Sequence, residues 1–588
     1  MALAGAALTG ACGGGADDPH AALPRGRHNV LVFLVDTLRA DRLGPYGHPG
    51  GLTPRLDAFA DEALVFDRCI AQSTWTKPTT ASLLTGLYPY AHGANYSRSV
   101  LPESVETLAE LLAGEGYATA AFGSNPHIFA ESMGFEQGFG AFEPIEPARD
   151  APFPRGERIV DAALAWLDGG APDDAPFFLY LHLIDPHFPY DPPGHEGPVY
   201  TVIEEAEALP PAERGRLGEL YDGEVAYVDT QFGRLLDALD ERGLADDTLL
   251  VFVSDHGEEL FEHGDLAHHS AKMFEEVARV PLLVRSPGLP EAARGRRITG
   301  VVEQVDLKAT VVDALGLPAA RAGAGTSLFA RALRAAPPER QHALVETEDG
   351  SVGRGIVAPE WKYVRRWTPT VSEELYHLGE DPAELTDRAA DEPEVVRAMR
   401  ALLAAEMRHV PPTYALRVEN GTDELVKVFG FIATDDVAAE MVRLVDVERL
   451  DSERADGDGP FATEQRMLDG RDVLASTFTL RVAPGDSDGF LFRPHPADPA
   501  CRVGLIAGGI PVAAEHIALG PGAERPPAVP FELDPAHADR WSASGEFAPA
   551  EGLLVRVWRV LETVGEEADL SAEDEAVLRA VGYLGGED

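Results

Sequence analysis

The run NVLVFLVD, Asn29 to Asp36, is apolar almost throughout and closes on an acid. Such a strand has no polar face to give to water, so both faces must be covered, as in a parallel sheet between two helix layers. The same unit recurs. A helix pattern opens at Thr53-Pro54 and leads to a strand from Leu64 to Ile70; a helix from Glu106 to Glu115 feeds a strand from Ala118 to Phe122 that ends at Gly123-Ser124-Asn125. A helix from Glu157 to Leu167 precedes FFLYLHL, Phe177 to Leu183, which delivers Asp185-Pro186-His187. A long helix from Leu217 to Arg242 precedes TLLVFVSDHGEE, whose strand ends at Asp255-His256. PLLVRSPG, from Pro281, and a helix from Val305 continue the alternation. The pattern predicts an α/β domain over residues 28–335, with a mainly parallel sheet and helices on both faces.

Beyond it, HALVETED, WKYVRRW, EELYHL and a helix from Pro393 to Met407 predict a small α+β C-terminal subdomain over residues 336–410. From 413 to 562, strand-like runs punctuated by Gly, Pro and Asp predict an added β-rich domain. Residues 563–588 read as a closing helix and tail, with Ser571 as N-cap and Asp574 at the third helical position.

Ligand sites in open α/β sheets form beyond the carboxyl ends of the strands. Asp36, Asp255 and His256 all stand there. A hydroxyl joins them from the segment STWTKPTTASLLTGLYPYAHGAN, Ser73 to Asn95, where a polar stretch runs through Pro78 into a short helix pattern stopped by Gly86. Pro78 suits a first helical position, and the unpaired N–H groups of a first turn favour anions. Thr76 is the reactive hydroxyl of this arrangement. Two carboxylates, an imidazole and the Thr76 oxygen make a hard N/O set for a divalent ion such as Zn, Mn, Mg or Ca. An ion there would lower the hydroxyl's pKa and allow attack on a phosphate or sulfate ester.

Charge narrows the partners. Lys+Arg number 49 against 98 Asp+Glu, a net charge of −49, which leaves no basic face for nucleic acid. Three cysteines cannot build a disulfide framework and match no zinc spacing; Cys69 reads as a core residue. Cys12 follows MALAGAALTGA and precedes GGGADDP, which resembles the tail of a bacterial lipoprotein signal. Residues 1–27 are therefore a signal-like or flexible tail, with a lipid anchor at Cys12 and a cell-envelope location as the expectation, although no positive n-region precedes the apolar run.

NVLVFLVDTLRADRLGPYG, the TxPxxASLLTGLYPYAHG block, YDGEVAYVDTQFGRLLDALDERGLADDTLLVFVSDHGEE and EEVARVPLLVRSPG, in that order, resemble the sulfatase family of the alkaline phosphatase superfamily. WKYVRRW followed by EELYHLGEDPAELTD is similar to its C-terminal subdomain, so the resemblance covers about Asn29 to Met407. It implies a metal-dependent ester hydrolase, with Asp36, Thr76, Asp255 and His256 as the metal set. The departures are chemical. Where the family places the Cys or Ser that becomes formylglycine this chain has Thr76, and Thr80 stands in the arginine's place, so no formylglycine is expected. The adjacent aspartate pair becomes Asp36-Thr37, and the lysine and histidine after the third strand give way to Gly123-Ser124-Asn125-Pro126-His127. These changes resemble the phosphodiesterase and phosphoglycerol-transferase branches, which use a metal-bound threonine. By the same resemblance His187 and Lys272 are catalytic helpers, and Asn95, Asn125 and His269 contact the substrate; Asp185 is a candidate for a second metal site, and Arg39 and Asp41 are surface or supporting residues. The implied substrate is an anionic phosphate or sulfate ester, of a glycan or lipid headgroup. The alternatives are a sulfuric ester hydrolase working without formylglycine and an inactive sulfatase-like protein that binds glycan or envelope polymer.

Overall fold

The computed structural model describes residues 26–407, apart from 96–98, 131–132, 148–154, 170–174, 268, 270–271, 334–341, 348–352 and 367–371, and beyond them the strands between Tyr414 and Arg559. The Cys12 segment and the Ser571 helix lie outside the described residues. Nine strands form the main sheet: β1 (Asn29–Val35), β2 (Leu64–Ile70), β3 (Ala118–Gly123), β4 (Ala141–Pro144), β5 (Phe177–Leu183), β6 (Thr248–Ser254), β7 (Arg279–Val280), β8 (Leu282–Arg285) and β9 (Arg297–Glu303), in the order β4-β3-β5-β1-β6-β8-β2-β7 with β9 on β2. From β4 through β6 every pairing is parallel. β8 enters antiparallel to both β6 and β2.

The two-sided burial expected of NVLVFLV is realised. Val30, Val32 and Leu34 pack into one apolar layer and Leu31, Phe33 and Val35 into the other. Cys69 is buried in the first of these layers. In the second, Phe232 of the helix Pro211–Glu241 lies 5.1 Å from Phe33, 5.1 Å from Phe59 and 4.9 Å from Phe252, ring centre to ring centre. Phe232→Ala should therefore cost about 3–5 kcal/mol of stability; a urea denaturation midpoint unchanged from wild type would contradict this packing account. That helix begins earlier than its apolar periodicity indicates, because Pro211 takes the first helical position and the residues after it are polar.

The helix carrying Thr76 runs from Thr76 to Thr85 with Trp75 as its N-cap, so Pro78 is the third helical residue and not the first. Its missing N–H still costs nothing, since all of the first turn lacks intrahelical acceptors. Gly86 ends the helix at φ 68°, where a Cβ would stand 2.7 Å from the Ala322 carbonyl oxygen.

The subdomain is a four-stranded antiparallel sheet, β10 (Ala343–Thr347), β11 (Gly353–Val357), β12 (Trp361–Arg366) and β13 (Ser372–His377), covered by the helix Pro393–Glu406. Its contacts with the α/β domain include two at buried groups. The Gln72 carbonyl accepts the Glu346 N–H at 2.9 Å, just before the Thr76 helix. The buried Lys362 ammonium reaches the Met273 carbonyl (2.8 Å), Glu384 (2.9 Å) and Glu275 (3.1 Å). Between Tyr414 and Arg559 the chain forms a six-stranded and a five-stranded sheet, antiparallel except where Pro530–Glu532 pairs with Gly545–Ala550. Among the described residues no helix is long and apolar enough to cross a membrane.

Candidate active site

β1 lies between β5 and β6, and its Val35 is level with both Leu183 and Ser254. The chain therefore releases Asp36 beside Asp255. The Asp36 N–H still reaches the Leu183 carbonyl at 2.9 Å, after which Thr37 turns at φ 54°. That left-handed turn is unfavourable for a β-branched residue and needs support. Support comes from all sides: the Thr37 N–H donates to Asp255 Oδ1 (3.1 Å), its carbonyl accepts from the Tyr221 hydroxyl (2.8 Å), and the same hydroxyl accepts the Arg39 N–H (2.9 Å). Gln304 does the same for the next strand end, its Nε2 donating to the carbonyls of Ser254 (2.6 Å) and Asp255 (2.7 Å).

Thr76, at the start of its helix, brings its hydroxyl to 3.4 Å from Asp36 Oδ2 and 3.4 Å from His256 Nε2. His256 donates from Nδ1 to the Gly257 carbonyl (2.8 Å), so Nε2 carries the lone pair toward the cluster. That nitrogen stands 3.8 Å from Asp36 Oδ1 and 3.5 Å from Asp255 Oδ2. Both oxygens are buried and have no hydrogen-bond partner among the described residues. Ligands held about 2.0–2.5 Å from one ion stand roughly 3–4 Å from each other, so these separations fit a shared divalent cation better than direct hydrogen bonding.

The electrostatics agree. Burial, and then the charge of Asp36, pushes the Asp255 carboxyl up to about 8. For Asp36 burial acts in the same direction, but His182, His187 and His256 outweigh it and hold that carboxyl well below its usual range. Burial lowers the His256 imidazole and keeps it neutral, as a ligand must be. Burial and Asp36 thus disfavour the charge on Asp255, and a divalent ion would supply the positive charge that restores it.

Asn125 enters from the end of β3. Its Oδ1 accepts the His127 N–H (2.9 Å), which fixes the amide so that Nδ2 donates to Asp36 Oδ2 (2.7 Å) and lies 3.4 Å from Thr76 Oγ1. His182 is the residue that reading the sequence missed: from within β5 its Nε2 reaches Asp36 Oδ2 at 3.3 Å, and ligand atoms of Asp36, His182 and Asp255 all lie within 4.8 Å of one another. The available signal was a lone imidazole in an otherwise apolar strand. Glu258 was missed too. It is buried, bonded by the Tyr190 hydroxyl at 2.6 Å, and pushed by burial to about 7.

His187 and His269 close one side of the cluster. The His187 ring is 5.7 Å from that of His269, which in turn is 4.5 Å from that of His256. Burial lowers the His187 imidazole, but the carboxylates of Asp36, Glu258 and Asp255 prevail and raise it. The remaining assignments are placed differently. Lys272 is drawn to Glu259 and Asp265 (2.6 Å). Asn95 is buried in the loop after the short helix Pro89–His92, and no hydrogen bond joins it to Thr76 or Asp36 among the described residues. Asp185 accepts the Gly156 N–H at 2.9 Å, at the start of the helix Gly156–Gly169, and so caps that helix outside the cluster. Arg39 is buried, not superficial: it pairs with Asp41 and Glu262 (2.7 Å each) and bonds the Glu258 carbonyl at 3.1 Å.

The family model named Sulfatase matches residues 28–317. An ulvan-active sulfatase of Formosa agariphila is 29% identical over 313 residues, which cover 47% of this chain and 60% of that protein. A multifunctional alkaline phosphatase superfamily protein, PehA of Trinickia caryophylli, is 27% identical over 401 residues, covering 52% and 76% respectively. The crystal structure of a phosphonate monoester hydrolase of Agrobacterium radiobacter superposes with a TM-score of 0.54 at 26% identity, over 64% of this chain and 95% of that one. Residues 28–317 thus carry a Sulfatase family domain, with relatives in the alkaline phosphatase superfamily.

Proposed function

We propose that this sulfatase-family hydrolase is a metal-dependent phosphoesterase or phosphotransferase, acting on phosphodiesters and related monoanionic phosphorus esters through Thr76. The observation that carries the reading is the Thr76 hydroxyl, 3.4 Å from both Asp36 Oδ2 and His256 Nε2 and beside two buried carboxylate oxygens that lack partners. Asp36, Asp255, His256 and Thr76 would hold a divalent ion, which supplies a lowered hydroxyl pKa and neutralises charge on the ester.

The chain's own groups then divide the work. Thr76 Oγ1 gives its proton to solvent and attacks phosphorus, and the bond from phosphorus to the leaving alcohol oxygen breaks, giving a threonyl phosphoester. His187, held charged by its carboxylate neighbours, donates a proton to the departing oxygen. Asn125 fixes Asp36 and stands within reach of the reacting hydroxyl. Water, or an acceptor alcohol in a transferase, then attacks the same phosphorus and releases Thr76. Such a phosphoester is opened by a second attack at phosphorus in the same site. A threonyl sulfate could be opened only by such a second attack, at sulfur, because threonine lacks the second hydroxyl of an aldehyde hydrate that would expel sulfate. The ulvan-active relative favours the other reading, a sulfuric ester hydrolase without formylglycine. A lipid anchor at Cys12 would bring the activity to glycan or lipid-headgroup esters of the cell envelope.

A panel of bis-p-nitrophenyl phosphate, a p-nitrophenyl phosphonate monoester, p-nitrophenyl phosphate and p-nitrophenyl sulfate, each with Zn, Mn, Mg or Ca, tests the choice. The diester and the phosphonate monoester should give the highest kcat/KM. A preference for the sulfate overturns the phosphorus assignment, and no turnover together with no bound ion overturns the enzyme reading.

A further inference from the structure

We propose that Tyr180 and His182 form a buried positioning relay that sets the carboxylate of Asp36 for cation binding, an inference that rests on the metal-dependent reading above. The two residues are two apart on β5 and so share one face of the sheet. The Tyr180 hydroxyl lies 3.1 Å from His182 Nδ1, and His182 Nε2 lies 3.3 Å from Asp36 Oδ2. All three side chains are buried. Phe129 meets the imidazole edge-on at 6.3 Å and restrains its rotation.

The direction of the chain follows from chemistry. Asp36 Oδ2 is a carboxylate oxygen that only accepts, so the His182 Nε2 that faces it at 3.3 Å carries the ring proton and donates. In the neutral ring Nδ1 is then the acceptor, and the Tyr180 hydroxyl at 3.1 Å donates to it. Asn125 Nδ2 donates to the same oxygen at 2.7 Å. With two donors on Oδ2, the carboxylate is pinned with Oδ1 facing His256 Nε2, and Oδ1 is the oxygen without a partner. His182 thus acts through Asp36. The ligand atoms of Asp36, His182 and Asp255 are close enough for His182 to bind the ion itself, but that would need a lone pair on Nε2, the atom that donates to Asp36 Oδ2.

The test is titration of the full, metal-stripped chain with Co²⁺, read by its visible spectrum, for wild type, His182→Phe, His182→Gln and Tyr180→Phe. Loss of the ring donor in His182→Phe should weaken Co²⁺ binding about 10- to 100-fold, the usual effect of removing a group that orients a ligand. Tyr180→Phe should weaken it less. His182→Gln, which keeps a donor, should recover most of the loss. The shape of the Co²⁺ bands should stay as in wild type, and kcat at saturating metal should return close to the wild-type value. Unchanged affinity in His182→Phe and Tyr180→Phe overturns the relay. So does an altered band shape in the His182 variants, which would make His182 a ligand. Binding is read without substrate, so an inactive ester panel leaves this result intact; a wild-type chain that takes up no ion overturns both the relay and the metal-dependent reading.

Discussion

Thr76→Ala is expected to lower kcat/KM on the best phosphorus ester by about 10⁴-fold or more, while divalent metal binding falls much less. Loss of a covalent nucleophile removes a reaction path, and losses of this size are typical of residues that act as one catalytic unit. Asp36, Asp255 and His256 would still offer three ligands to the ion. Stopped assays of the variant over the same panel, alongside elemental analysis, measure both quantities. Wild-type turnover in Thr76→Ala would remove the hydroxyl from the mechanism. Thr76→Ser, which keeps the hydroxyl, should retain most of the rate.

The second large effect concerns Asp255, and it pairs a loss with a gain. Asp255→Asn should abolish measurable turnover and weaken metal binding, yet make the metal-free protein more stable. Burial and the neighbouring Asp36 push the Asp255 carboxyl up to about 8, so the folded chain holds a proton there that the unfolded chain releases near its ordinary value of 3.8. Where the folded state binds more protons, stability falls as pH rises. For Asp255 the window runs from about 4 to 8 at up to roughly 1.4 kcal/mol per pH unit. Glu258, raised to about 7, and Glu224, raised to about 8, carry the same sign, each mainly through burial. Asp36 has the opposite shift, and its contribution is lost only as pH falls below the ordinary carboxylate range. The chelator-treated wild type should therefore melt at progressively lower temperature between pH 5 and 8, the slope should flatten in Asp255→Asn, and a saturating divalent ion should remove most of it. A melting profile flat with pH in the metal-free wild type would contradict the buried-carboxylate account.

Which parts of this were legible before the fold was seen follows from how far each signal travels along the chain. β1, β5 and β6 are buried on both faces, and their runs NVLVFLV, FFLYLHL and TLLVFVS show it locally. The acids at their ends were legible for the same reason, since an acid directly after a buried run stands where a parallel sheet opens. Which groups face one another was not. His182 and Asp36 are separated by 146 positions and meet only because β5 pairs with β1, and the apolar run around His182 gives no sign of a polar partner across the ladder. Lys272 reads in the sequence as a catalytic cation, but the carboxylates that claim it, Glu259 and Asp265, occupy a loop whose path the sequence does not set. Asp185 carried the same strand-end signature as Asp36, yet it turns to the first N–H of the helix Gly156–Gly169 and leaves the cluster. A strand end predicts a place on the sheet; the side chain's direction depends on the next turn.

The most direct test of the central claim is chemical trapping. Wild-type protein mixed with an activated phosphodiester whose first alcohol departs rapidly, quenched in acid within one turnover and digested, should yield the peptide containing Thr76 with the added mass of the phosphoryl monoester. His187→Ala, which removes the acid that helps the first alcohol depart, should lower the yield of this adduct, and it should be absent from Thr76→Ala. An adduct on any other residue, or continued diester turnover in Thr76→Ala, would contradict the account.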